Sequence, residues 1–152
     1  MAKYWRFLFG DPGKARFPPY GGVYPVGKTG TGRKQNLKMV QHGVMRNGDY
    51  ALLYCTGSYK GHEKRVMGVG EITGVTAMRV NEWHINYDFR GFNHEVPWKQ
   101  MLMAATASDA VKLKRGKYMW ILEVEPVSFQ NVVQAGGLTP GSGRGLQLPR
   151  TP

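Results

Sequence analysis

The stretch from Met45 to Val75, MRNGDYALLYCTGSYKGHEKRVMGVGEITGV, constrains the fold more than any other part of the chain. Asn47-Gly48 is a turn dipeptide. Tyr50 to Tyr54 is a short apolar run of strand length. Cys55 to Lys64 is polar, basic and glycine-bearing. From Arg65 the residues alternate: Val66, Gly68, Gly70, Ile72 and Gly74 share one parity, Met67, Val69, Glu71, Thr73 and Val75 the other. Glycines inside a strand pattern mark bulges or the close approach of another chain or ligand. The expectation is a curved hairpin with a polar, basic loop.

The flanking segments read as follows. Lys3–Phe9 is an aromatic-rich strand, apolar on both faces except at Arg6, and so central. Lys14–Gly32 is a long loop whose aromatics and cations (Arg16, Phe17, Tyr20, Tyr24, Lys28) suit base stacking and phosphate contact, or pin the loop to the body. Arg33–His42 is a short helix ended by Gly43, with Leu37 and Val40 inward. Trp83, Ile85, Tyr87 and Phe89 alternate as a further strand. Pro97 opens a helix with Trp98, Met101, Leu102 and Ala105 on one face. Lys112–Lys117 is a basic turn, and Tyr118–Val127 a strand. Residues 1–133 form one domain; 134–152, rich in Gly and Pro, form a flexible tail or linker.

Charge narrows the class. The chain carries 21 Lys and Arg against 10 Asp and Glu, a net +11. Residues 1–48 hold nine of those cations and one acid, Asp11, so the excess is concentrated in the first third. A clustered basic surface attracts polyanions such as nucleic acid. The single cysteine, Cys55, excludes an internal disulfide and suits a reducing, cytoplasmic setting. No apolar run reaches membrane-spanning length, and the start lacks a signal-peptide cleavage site, so no membrane partner is expected.

Gly22 to Thr29 (GVYPVGKT) matches the phosphate-loop pattern G-x-x-x-x-G-K-[ST] in letters. That loop needs a strand before it and a helix directly after; here prolines precede and interrupt it and Gly30-Thr31-Gly32 follows. Four histidines and Cys55 lack metal-ligand spacing, so neither metal nor cofactor is expected. Cys55 is the sole thiol candidate for nucleophilic catalysis, with no base identified; a packing role at a strand end competes with it. A binding module fits these residues better than an enzyme.

Several segments, in order, resemble EVE and YTH domains of the PUA-like superfamily: Val23-Tyr24, Gly32–Lys38 opening a helix, Gly48–Ser58, Met67–Ile72, and Tyr118–Val127 followed by Ser128-Phe129. The resemblance implies an α+β fold, a curved, partly closed β-barrel of five to six strands with flanking short helices. It also implies a reader of a modified base, methylated adenine in RNA or methylated cytosine flipped out of DNA, in some cases the specificity module of a modification-dependent restriction system. Carried onto this sequence, the base pocket is Tyr24, Asn36, Cys55, Thr56, Trp83 and Asp11. Lys28, Arg33, Lys34 and Lys38 hold phosphates. The expected partner is nucleic acid, DNA before RNA, with a nuclease or motor fused or separate. The alternatives are a PUA-like RNA-binding module indifferent to modification and an enzyme using the glycine-rich loop or Cys55.

Overall fold

A computed structural model describes residues 2–10, 19–27, 40, 43–56, 61–80, 82–117 and 119–138. Its elements in order are β1 (Tyr4–Phe9), a 3-10 turn (Pro19–Gly22), β2 (Val23–Val26), β3 (Tyr50–Cys55), β4 (Arg65–Arg79) and β5 (Glu82–Pro97), then α1 (Trp98–Ala104), α2 (Ala107–Arg115), β6 (Ile121–Val124) and α3 (Pro126–Ala135). The strands form one mixed sheet in the order β2-β5-β4-β3-β1-β6.

β1 is buried along its whole length and lies between β3, parallel, and β6, antiparallel. Strand alternation sends its side chains to two cores. Trp5, Phe7 and Phe9 join Ala51, Leu53 and Cys55 of β3 inside the curved sheet. Tyr4 and Leu8 join Leu52 and Tyr54 on the outer face, under Met101, Leu113, Phe129, Val132 and Val133 of the helices. This explains why the first strand reads as apolar on both sides.

Arg6 shares the outer face and is 0% exposed. Its Nη2 donates to the Gly116 carbonyl at 2.9 Å, at the end of α2, where the helix dipole favours a cation. Burial holds its pKa down to about 10, against a partial pull upward from Tyr24 and Tyr54.

Curvature comes from the β4–β5 hairpin. Register shifts fall between Val66 and Gly68, between Ile72 and Gly74, and between Ala77 and Arg79. A Cβ at Gly68 would run into the Arg90 carbonyl oxygen and stand 2.9 Å from the Gly91 Cα. One at Gly70 would stand 2.9 Å from the Tyr87 ring. The partner approaching these glycines is therefore β5, not a ligand.

The start of β3, which pairs antiparallel with β4 as the expected hairpin, is fixed by Asp49. Its carboxylate accepts from the Lys3 and Arg46 backbone N–H groups, each at 3.0 Å, and from Trp5 Nε1 at 3.1 Å. Gly48 adopts φ +90°, which the turn before β3 requires.

Three expectations change. The Lys14–Gly32 segment is not loop throughout: Pro19–Gly22 is a 3-10 turn and Val23–Val26 pairs with β5. The basic turn at Lys112–Lys117 is mostly the last turn of α2. The chain breaks between α1 and α2 because Thr106 caps α2, its Oγ1 accepting the Asp109 N–H at 3.2 Å. The late strand shortens to Ile121–Val124, since Pro126 begins α3. Packing continues to Leu138, which is buried in the outer core. Of the expected Arg33–His42 helix only Val40 lies within the described residues; it is helical and buried against the inner core.

The sheet does not close. Its edge strands are β2 and β6, and the Tyr24 side chain reaches across the gap between them. The Tyr24 hydroxyl on β2 donates to the Leu8 carbonyl at 2.7 Å and lies 3.3 Å from the Trp120 carbonyl just before β6.

Candidate nucleic-acid interface

β1 and β3 run parallel, so their carboxyl ends lie side by side. Gly10 and Thr56 form this rim. Thr56 N–H donates to the Phe9 carbonyl at 2.8 Å. A Cβ at Gly10 would stand 2.9 Å from Thr56 Oγ1, so the rim is narrow because a glycine is there.

The 3-10 turn folds over the rim. Gly10 N–H donates to the Tyr20 hydroxyl at 3.2 Å, and the Tyr87 hydroxyl donates to the Pro19 carbonyl. Tyr20 (φ 55°) and Gly21 (φ 69°) are both left-handed. That conformation is strained for a tyrosine, and such strain clusters at ligand sites. Below the turn the rings nest. Tyr20 packs on Phe9 at 4.6 Å and stacks on Tyr24 at 5.8 Å; Tyr24 stacks on Phe7 at 4.7 Å; Phe9 meets Tyr87 edge-on at 6.3 Å.

The expected pocket residues are placed unevenly. Tyr24 is 1% exposed, with Phe7 on one face and Tyr20 on the other, so it is a core and closure residue and not a surface ring. Burial, foremost, raises its pKa well above 10, which keeps the hydroxyl a donor. Cys55 is 0% exposed, and its Sγ donates to the Thr56 carbonyl at 3.0 Å, a packing position on the inner face. Thr56 is half-buried on the rim. Trp83, half-buried on β5, pairs with Val26 and Ala77 and borders the inner core. It is the diagonal neighbour of Tyr24, whose own partner is Ile85.

The register does not pair Trp83 with the rim: Cys55 pairs with Arg65 at the start of β4, Trp83 with Ala77 near its finish. Asp11, Asn36, Lys28, Arg33, Lys34 and Lys38 lie outside the described residues.

Three residues that pack against this nest of rings are absent from the expected set: Tyr20, Tyr87 and Trp120. Tyr20 is among the loop aromatics and Tyr87 falls on the Trp83–Ile85 parity, so both carried a signal. Trp120, 6.5 Å from Tyr24 and edge-on, has none beyond preceding β6.

Val23–Val26 is paired strand, so the interior of the phosphate-loop match is not a loop wrapping a phosphate. Among the described residues no group of His, Cys, Asp and Glu could hold a metal ion. His62 Nδ1 meets Glu95 at 2.6 Å in a single half-buried pair.

No known family profile matches the chain, and no curated protein does. Solved structures do. Rpa0253 of Rhodopseudomonas palustris superposes with a TM-score of 0.64 at 18% identity, covering 90% of this chain and 94% of that one. Human THYN1, solved in complex with 5-methylcytosine-containing DNA, gives 0.62 at 12%, covering 91% and 100%. The YTH domain of Zygosaccharomyces rouxii MRB1, solved with N6-methyladenosine RNA, gives 0.52 at 13%, covering 88% and 86%. At these identities the likeness shows the fold. The chain is an α+β protein of PUA-like fold, an open six-stranded mixed sheet with helices on its outer face. That fold is shared with proteins solved on methylated DNA and RNA.

Proposed function

We propose that this chain is a nucleic-acid reader that takes a modified base, in DNA before RNA, at the aromatic end of its open sheet. The observation that carries the reading is the rim where β1 and β3 end. There a strained tyrosine turn covers a nest of rings, in a fold shared with THYN1 and a YTH domain. Trp83, half-buried beside Val26 on the β2 side of the nest, supplies the stacking surface; the buried Tyr20 ring closes the nest under the turn, Thr56 offers a polar contact on the rim, and Tyr24 is the floor that holds the sheet together behind them. Asn36 and Asp11 complete the polar set.

The energetics are of the right size. Base–aromatic stacking contributes about 1–3 kcal/mol per base, against an unpairing cost of a few kcal/mol for a flipped base. A methyl group in an apolar pocket adds about 0.8 kcal/mol. Lys28, Arg33, Lys34 and Lys38 then supply phosphate affinity that falls with salt and carries no sequence information.

The chain acts by binding and leaves chemistry to other components. Burial of Cys55, with its thiol turned to the Thr56 carbonyl, supports this. In a modification-dependent restriction system it is the specificity module, with cleavage in a fused or separate nuclease.

The test is binding to matched oligonucleotides, single- and double-stranded DNA and RNA, with and without 5-methylcytosine or N6-methyladenine. The expected result is tighter binding to one modified strand, lost in Trp83→Ala and reduced in Tyr20→Leu. Equal affinity for plain and modified strands, with RNA preferred, points instead to an RNA-binding module indifferent to modification.

A further inference from the structure

The rim continues into a second cationic surface on the helical side. Lys64 is one of two non-glycine described residues with positive φ, at 57°. Two backbone hydrogen bonds hold it there. Its N–H donates to the Thr56 carbonyl at 3.3 Å, and its own carbonyl accepts the Trp98 N–H at 3.0 Å. Lys64 is thus tied to the rim on one side and to the start of α1 on the other.

Arg65 pairs with Pro97 beside it. The Trp98 ring is backed by Tyr54 at 5.4 Å and carries the Lys117 ammonium 5.6 Å from its centroid. Lys117 follows Gly116, whose carbonyl is fixed by the buried Arg6. Just before it, Lys112, Lys114 and Arg115 are exposed on the last turn of α2.

Among the described residues no ion pair joins Lys64, Arg65, Lys114 or Arg115 to a carboxylate. The nearby Glu95 is engaged by His62, and Lys112 is turned to the Glu123 backbone carbonyl at 2.7 Å. Beneath lies the Arg6 guanidinium, fully buried, with Nε and Nη1 unpartnered among the described residues. A buried charge is little screened, so it adds to the positive potential of the surface above it.

We infer that the strip from Thr56 through Lys64 and Arg65 to Trp98, Lys117 and the end of α2 is a second phosphate-binding track. It holds the nucleic-acid backbone on the helical flank of the rim. This rests on the reader reading. Its contribution is electrostatic positioning, so it adds affinity without discriminating modification.

The experiment is fluorescence anisotropy with plain and 5-methylcytosine-containing oligonucleotides, from about 50 to about 300 mM KCl, where counterion release sets the slope. The proteins are wild type, Lys64→Ala/Arg65→Ala, Lys114→Ala/Arg115→Ala, and Arg79→Ala on the distant hairpin as a charge control. Each double variant is expected to lower the log–log salt slope by about 1–2, at ~0.7–0.9 per phosphate contact. The ratio between modified and plain strands stays at its wild-type value, and Arg79→Ala leaves the slope unchanged. If wild type binds and both double variants keep its slope, or Arg79→Ala lowers it as much, the track is overturned. If wild type binds nothing at low salt, the reader reading fails and the track with it.

Discussion

Replacing Tyr24 by Phe isolates the bond that spans the open side of the sheet. The substitution keeps the ring between Phe7 and Tyr20 and removes only the hydroxyl, with its 2.7 Å bond to Leu8 and 3.3 Å approach to Trp120. At 1% exposure no solvent reaches the site to replace the donor. A net hydrogen bond contributes about 0.5–1.5 kcal/mol, and a buried acceptor left short of its donor costs about 1–3 kcal/mol. The expected loss at neutral pH is therefore about 1–3 kcal/mol, or roughly 2–12 °C in Tm for a chain of this size.

The pH dependence gives a second handle. Tyr24's folded pKa is raised well above 10.0, so between those values the native state keeps a proton that the unfolded chain has released. Its stabilisation is fully present below pH 10 and is lost as pH rises, at up to about 1.36 kcal/mol per pH unit. The Phe variant has no such proton, so the gap between the two proteins must narrow in alkali. Urea melts at about pH 7.5 and about pH 10.5, with equal m-values, measure both effects. A Phe variant as stable as wild type, or a gap that widens at high pH, refutes the closure role.

Asp49→Ala leaves the Trp5 indole N–H and two backbone N–H groups without their acceptor and is expected to cost about 3–5 kcal/mol by urea denaturation. Gly68→Ala drives a Cβ into the β5 backbone and is expected to cost about 1–3 kcal/mol or more, with altered near-ultraviolet circular dichroism. Trp83→Ala is expected to weaken binding of the modified oligonucleotide by about 1–3 kcal/mol, read by anisotropy, with the folded state retained by far-ultraviolet circular dichroism. Cys55, fully buried, is expected to react with a thiol reagent no faster than the chain unfolds; rapid labelling of native protein would contradict its packing role.

Local pattern carried a large part of this protein. β1 and β3 are legible because bulky apolar residues occupy both parities, six in a row in β3 and five of six in β1 with Arg6 the exception, as strands packed on both sides require. The pattern of Met45–Val75 announces the β3–β4 hairpin, and the glycines of Arg65–Val75 the bulges, which fall mainly against β5. Two helix starts are also present in the letters: Thr106 with Asp109 three residues on, and Pro126 ahead of Phe129, Val132 and Val133. Their ends and starts are short-range events, so the information is local.

Tertiary structure alone settled the fate of the aromatics. A tyrosine in Gly-Gly-Val-Tyr-Pro has the same local sequence whether it stacks on a base or on its own core. Tyr24 lies inside because β2 pairs with β5, far along the chain, and faces β1 across the open edge. The glycines of β4 meet β5 for the same reason: what approaches a missing side chain is decided by register. Composition told how much positive charge the chain carries. Only the β1–β3 parallel pair, the left-handed Lys64 and the Arg6 bond to Gly116 decide that rim, Trp98 and the end of α2 form one surface, because contacts between residues so far apart in sequence leave no trace in spacing.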